Sequence, residues 1–179
     1  MKNPSHVGRI RLALRDATTE NHRQVDMLFA GYALDAPESY HVFLMAHARA
    51  LGALEPVARP AMPRLPLLAD DLAALGHAMP SPLPLKPHAG EGYRWGLLYA
   101  LEGSRLGGAM LARKVASGLP TAYLSATHEK GEWIDFQHRL DSAAAQGDEM
   151  WLDDAVLGAK AAFALFAQAG AAETAMIYG

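Results

Sequence analysis

Three stretches of this 179-residue sequence carry side chains whose types and spacing could do chemistry. His22 has Thr18, Val25 and Phe29 at i−4, i+3 and i+7, which places it on or beside the apolar stripe of a helix. Asp26 follows one turn later, and a carboxylate behind an imidazole fixes its tautomer and raises its basicity as a metal ligand. The plainer reading of one histidine on such a face is a satisfied core residue. The second stretch runs from Tyr99 to Leu111, where Gly103, Gly107 and Gly108 interrupt a strong helix pattern and Gly96 precedes them. Each interior glycine costs about 0.8–1 kcal/mol relative to alanine, so something must offset several of them. Close helix–helix packing through small faces would do so. So would a kinked helix whose bare backbone approaches a flat ligand, with the Ser104 hydroxyl nearby. The third pattern is Glu38-x-x-His41 with Asp135-x-x-His138, the spacing of di-iron carboxylate bundles, with Glu20, Glu55, Glu91 and Glu102 as further carboxylates. Against it, Glu38 suits a helix's first turn and Asp135 with His138 suits a solvated face. His6, His47, His77, His88 and His128 read as surface or satisfied residues.

These groups need elements to position them, and the composition says which kind. The chain has 35 Ala and 25 Leu against 14 Val, Ile and Thr combined, a balance that favours helices over sheet. The fold class expected is all-α. A first amphipathic helix spans roughly 5–29, with Ile10, Leu14, Ala17, Val25 and Leu28 at helical spacing. A second begins near Pro37 and carries Tyr40, Phe43, Leu44, His47, Leu51 and Leu54; a shorter third carries Leu65, Leu68, Leu72 and Leu75. Pro80, Pro82, Pro84 and Pro87 then make residues 79–90 an extended connector. Helices over about 91–117, 122–145 and 148–169 complete six, within one domain over 1–179.

Lys and Arg number 16 and Asp and Glu 19, a net charge of −3, so nothing electrostatic points to nucleic acid or an anionic membrane. The absence of cysteine excludes disulfides, zinc fingers, iron–sulfur clusters and thiol nucleophiles. No apolar leader and no stretch of about 20 apolar residues is seen, and a cytoplasmic location is expected. Any metal must be held by histidine or oxygen. One histidine leaves five positions of an iron unfilled; a porphyrin would supply four and leave one for a gas ligand.

The residues from Leu14 to His22, with Asp26, resemble the proximal-helix motif of heme oxygenases. The block Glu102-Gly-Ser-Arg-Leu-Gly-Gly108 resembles their glycine-rich distal helix, and Ala159-Lys-Ala-Ala-Phe163 a segment of their last core helix. The three blocks occur in family order, and the form Gly-Ser-x-Leu-Gly-Gly looks most like the bacterial branch, including members that accompany bacterial phytochromes. The resemblance implies that heme (heme b) is both cofactor and substrate, opened with O2 and electrons to biliverdin, CO and ferrous iron. It makes His22 the iron ligand, Asp26 its partner, and Gly103, Gly107 and Gly108 the distal residues facing the heme plane. It makes Arg15 a propionate partner and Phe163 a pocket wall, and it puts Arg139, beside His138, in the region of further propionate partners. Ser104 departs from the aspartate found there in many relatives and can offer only a weaker hydrogen bond to distal water. The implied partners are an electron donor such as a ferredoxin or reductase and a bacterial phytochrome receiving biliverdin. Two other readings stay open: a heme carrier or sensor on the same fold, and a non-heme di-iron oxidase.

Overall fold

The computed structural model describes residues 8–178. His6 and the first residues of the expected helix over 5–29 lie outside the described residues. Six helices are present and no strand occurs among the described residues: α1 (Arg9–Ala30), α2 (Pro37–Ala58), α3 (Leu65–Ala74), α4 (Glu91–Ala112), α5 (Glu132–Ala145) and α6 (Trp151–Tyr178). The apolar stripes read from the sequence face inward: Leu14, Tyr40, Phe43, Leu44, Leu51, Leu54, Leu68, Leu72, Leu97 and Leu140 are fully or almost fully buried. Burying such side chains supplies the main drive for packing the helices together.

Helix α6 is the axis of the molecule, packed on α4, α1 and α2, while α3 lies on α2 and α5 touches both α1 and α4. Small residues let α4 and α6 approach backbone to backbone. A Cβ on Gly92 or Gly96 would run into the backbone of Trp151 or Ala155, and one on Gly158 into that of Tyr93. Contacts along α6 also set direction. Gly92 meets Trp151 and Gly96 meets Ala155, while His22 meets Phe163 and Leu28 meets Gly170. Helices α1 and α4 therefore both ascend α6 in its own direction, and by register His22 and Gly103 stand at a common level beside Phe163.

Several boundaries differ from the sequence reading. Helix α4 ends at Ala112, and residues 113–131 form a loop where a fifth helix was expected to begin. Gly118 and Gly131 adopt positive φ there, and Asp71 on α3 accepts the backbone N–H groups of Ala122 and Tyr123 at 3.0 and 2.9 Å. A carboxylate from another element has taken the place of intrahelical bonds, which local periodicity could not show. The connector over 79–90 is extended as expected and lies along α2, with Leu83 N–H donating to Arg49 O at 3.0 Å. Helix α6 runs past Ala169, and its segment Trp151–Ala175 is long and apolar enough to cross a membrane. That corrects the expectation that no such stretch exists; here the segment is the helix that α1, α2 and α4 surround.

Candidate functional site

Helices α1 and α4 share α6 yet barely touch each other, and the side chains singled out in the sequence lie along the gap between them. On the α1 side, His22 Nδ1 is 3.1 Å from Asp26 Oδ2, one turn on. That bond assigns the Nδ1–H tautomer and leaves the Nε2 lone pair without a partner among the described residues. The two side chains are 61% and 66% exposed, so His22 is no satisfied core residue. Its ring meets Phe163 of α6 edge-on, with centroids 5.7 Å apart. Of the expected pocket residues, His22, Asp26 and Phe163 are thus brought together.

The glycines of α4 divide by role. A Cβ on Gly107 would meet nothing within 4 Å, and one on Gly103 only Trp133, at 3.8 Å. Gly108 is buried, and a Cβ there would strike the carbonyl oxygen of Leu124. Gly108 is therefore a packing glycine, turned from the gap, and its expected place facing a heme plane is not what the structure gives it. Leu106 and Met110, both exposed, flank Gly107 with apolar surface. The helical pattern continues through all three glycines, so α4 remains one helix from Glu91 to Ala112.

Ser104 is held rather than free. Its hydroxyl donates to Leu101 O at 2.7 Å and accepts from Arg64 Nη2 at 2.6 Å. Arg64 is positioned in turn by the carboxylate of Glu55, which accepts the backbone N–H groups of Arg64 and Leu65 at 2.7 and 3.1 Å. Arg64 was missed in the sequence and Glu55 was named there only as a spare carboxylate for the di-iron reading, because they come from α2 and the start of α3, 40 and 49 residues before Ser104.

Arg15 and Tyr99 line one cavity of about 460 Å³ together with Arg11, Leu12, Trp133 and Gln137. Arg11 is engaged by Gln137 Oε1 and Asp141 Oδ2, each at 3.0 Å, whereas Arg15 is exposed and its one ion pair among the described residues is with Asp16, at 3.9 Å. Burial pushes the Tyr99 hydroxyl upward from its ordinary pKa, with Arg15 pulling the other way. His22 is not part of this cavity; it stands two turns further along the same face of α1. A signal existed for Arg11, because residues 11, 15 and 22 recur on one helix face. Arg139 is not brought here. It is exposed, with its guanidinium carbon 5.9 Å from the Phe136 ring centre, because its helix turns it away from Gln137 and Trp133.

The remaining histidines take other places. His41 stacks on His77 at 3.5 Å, and no group of three or more His, Asp or Glu side chains among the described residues could hold a metal. The di-iron arrangement therefore does not form. His47 lies among the rings of Phe29, Phe43, Phe166 and Tyr123, with Nδ1 2.7 Å from the Tyr123 hydroxyl. Burial, and then Arg64, press its pKa down to about 3.

A flat, largely apolar group with an iron centre and anionic arms fits these residues. They offer an unpartnered imidazole nitrogen, a bare glycine face edged with apolar side chains, and an exposed guanidinium at one end. No family model matches the chain. A protein named heme oxygenase from Xanthomonas campestris pv. campestris (strain 8004) is 40% identical over 120 residues, covering 62% of this chain and 68% of that protein. The crystal structure of the NO- and CO-bound heme oxygenase from Neisseria meningitidis matches with a TM-score of 0.80 at 24% identity, over 93% of this chain and 92% of that one. This second likeness establishes the shared all-helical fold.

Proposed function

The chain belongs to the heme oxygenase family, and on that premise we propose that it binds heme between α1 and α4 and cleaves it with O2 and electrons to biliverdin, CO and ferrous iron. The observation that carries this reading is the His22–Asp26 pair, 3.1 Å apart, with Nε2 unpartnered at the level of Gly103 along α6. Bound heme supplies the iron that activates O2 and the porphyrin that is opened. The rest is the work of the chain. His22 ligates through Nε2 while Asp26 holds the proton on Nδ1 and fixes the ring's orientation. Phe163 supports the imidazole from below. Gly103 and Gly107 leave room for a flat ring close to the α4 backbone, and Leu106 and Met110 keep water from it. Arg15 pairs with a propionate, and Tyr99 offers a hydroxyl in the same cavity. These residues would act on bound heme by position rather than by acid–base strength.

We also propose heme b as the form bound, a ferredoxin or reductase as electron donor, delivery of biliverdin to a bacterial phytochrome, a cytoplasmic location and a single domain over 1–179. The deciding experiment adds heme and then ascorbate while absorption is recorded. A Soret band that appears and then decays as biliverdin absorption grows is the expected result. A Soret band that persists under ascorbate would instead identify a carrier or sensor, and no Soret band at all would overturn heme binding.

A further inference from the structure

The chain has three tryptophans, and all of them line one or other of two cavities. Trp133 lines the cavity that also holds Arg15 and Tyr99, and a Cβ on Gly103 would stand 3.8 Å from its ring. Trp95 and Trp151, with Glu91 and Arg94, line a second cavity of about 510 Å³ between the start of α4, the end of α5 and the start of α6. Aromatic rings join the two. Trp133 stacks on Phe136 with ring centres 5.6 Å apart and planes at 24°, and Phe136 meets Trp95 at 6.1 Å and 32°. Both separations are those of paired aromatic rings. Phe136 is only 1% exposed, so the middle of the row is shielded from water while each end reaches a cavity. The ring of Trp151 joins no aromatic pair among the described residues.

Packing alone would be served by any large apolar ring, yet the two ends of this row are indoles and only its middle is phenylalanine. An indole yields an electron to a strong oxidant and accepts none from a mild reductant. The row can therefore carry oxidising equivalents away from a cofactor, but it cannot feed reducing ones to it. Its outer end is built to release them. The guanidinium carbon of Arg94 lies 5.1 Å from the Trp95 ring centre and opposes a lasting positive charge there. The indole N–H faces the exposed carboxylate of Glu91, one turn earlier, so the proton of an oxidised Trp95 has a way out. The chain has no cysteine to absorb such equivalents instead.

We propose that Trp133, Phe136 and Trp95 form a relay that carries oxidising equivalents from bound heme to the second cavity, giving the protein a reductant-dependent, hydroperoxide-consuming side activity. This rests on the heme-binding reading above. A hydroperoxide converted to its alcohol and water takes up two electrons and two protons. Trp133 supplies the electrons singly, Phe136 couples the two indoles without being oxidised, and Trp95 refills Trp133. Each time, Trp95 loses its indole proton on the Glu91 side. A small reductant such as ascorbate restores Trp95 with one electron and one proton, so two are consumed for each hydroperoxide.

The test mixes ferric heme-loaded protein with cumene hydroperoxide in air without reductant, so that no electrons are supplied for ring opening, and reads oxygen adducts of tryptophan in its peptides by mass spectrometry. Adducts are expected on Trp133 and Trp95 but not on Trp151, and ascorbate should suppress them. Trp133→Phe should lower the Trp95 adduct by about tenfold or more, a rise of about 1.4 kcal/mol or more in the barrier to its oxidation. Trp133→Tyr, still oxidisable, should retain it. Trp95→Phe should leave heme uptake and ring opening unchanged and, by stranding the equivalents, raise the Trp133 adduct. Where Trp133→Phe fails to fold or to take up heme, Trp95→Phe decides: an unchanged Trp133 adduct overturns the relay. So do adducts on Trp151 equal to those on Trp95, Trp95 adducts as abundant in heme-free protein, or Trp95 adducts undiminished in Trp133→Phe. Wild-type protein that opens heme yet gains no tryptophan adduct would overturn the relay alone. Failure to take up heme would strike at the heme-binding reading and remove the proposal with it.

Discussion

At the scale of the residue, the chemistry rests on groups that contribute little to stability. His22 and Asp26 are largely exposed, and on their helix Leu14 and Thr18 make the buried contacts. His22→Ala is therefore expected to leave helix content and melting temperature nearly unchanged while heme titration loses the wild-type Soret position. A variant that ligates heme as before would remove His22 from the site. Asp26→Asn keeps the shape but no longer holds the Nδ1 hydrogen with a charge; a loss of about 10- to 100-fold in heme affinity or turnover is expected, the usual scale for such a partner. Ser104→Ala is expected to slow single-turnover decay of the oxygen complex by less than about tenfold, since one hydrogen bond of about 1–1.5 kcal/mol is at stake. A hundredfold loss with normal heme uptake would show that the hydroxyl acts directly.

At the scale of the element, the glycines of α4 serve two needs that the sequence runs together. Gly92, Gly96 and Gly108 are packing glycines, pressed against backbone of α6 or of the loop that holds Leu124. Gly103 and Gly107 open onto space. Gly108→Ala should thus lower the melting temperature, at a cost of about 1–3 kcal/mol for overpacking. Gly107→Leu should not, and helix propensity even favours it. Its expected effect is loss of heme affinity and turnover with the thermal melt preserved. The reverse pattern, a destabilised Gly107→Leu protein that still binds heme, would make α4 a packing helix only.

At the scale of the whole molecule, the histidines set a pH response. His47 has its pKa pressed down to about 3, and His41 is shifted downward as well, mainly by burial and then by His77 beside it. A depressed histidine binds its proton more weakly in the folded chain than in the unfolded one. Its contribution is present above the ordinary histidine value and is lost as pH falls below it. Thermal melts between pH 7 and pH 5 should therefore fall as acid is added, by no more than about 1.4 kcal/mol per pH unit for each histidine. Asp71, shifted upward mainly by burial, works in the opposite sense between the ordinary aspartate value and its raised one. The same melts on His47→Gln should show a shallower decline. A decline as steep as wild type would assign the acid sensitivity elsewhere.

The sequence by itself determined the helices, because their signal is local: apolar spacing, few β-branched residues, and proline and glycine at the breaks. It determined the His22–Asp26 pair for the same reason, since i and i+4 are neighbours on any helix. Tertiary structure alone decided the rest. Which glycine packs and which opens depends on whether α6, Leu124 or nothing lies opposite. Arg139 follows a turn of α5 away from the cavity that Arg15 lines, although the family resemblance had put it in the region of further propionate partners. The segment over 113–131 gave up its helix to the carboxylate of Asp71, and Ser104 is held by an arginine 40 residues earlier in the chain. Those outcomes are contacts between distant elements, and no local pattern encodes a contact whose partner is chosen by packing.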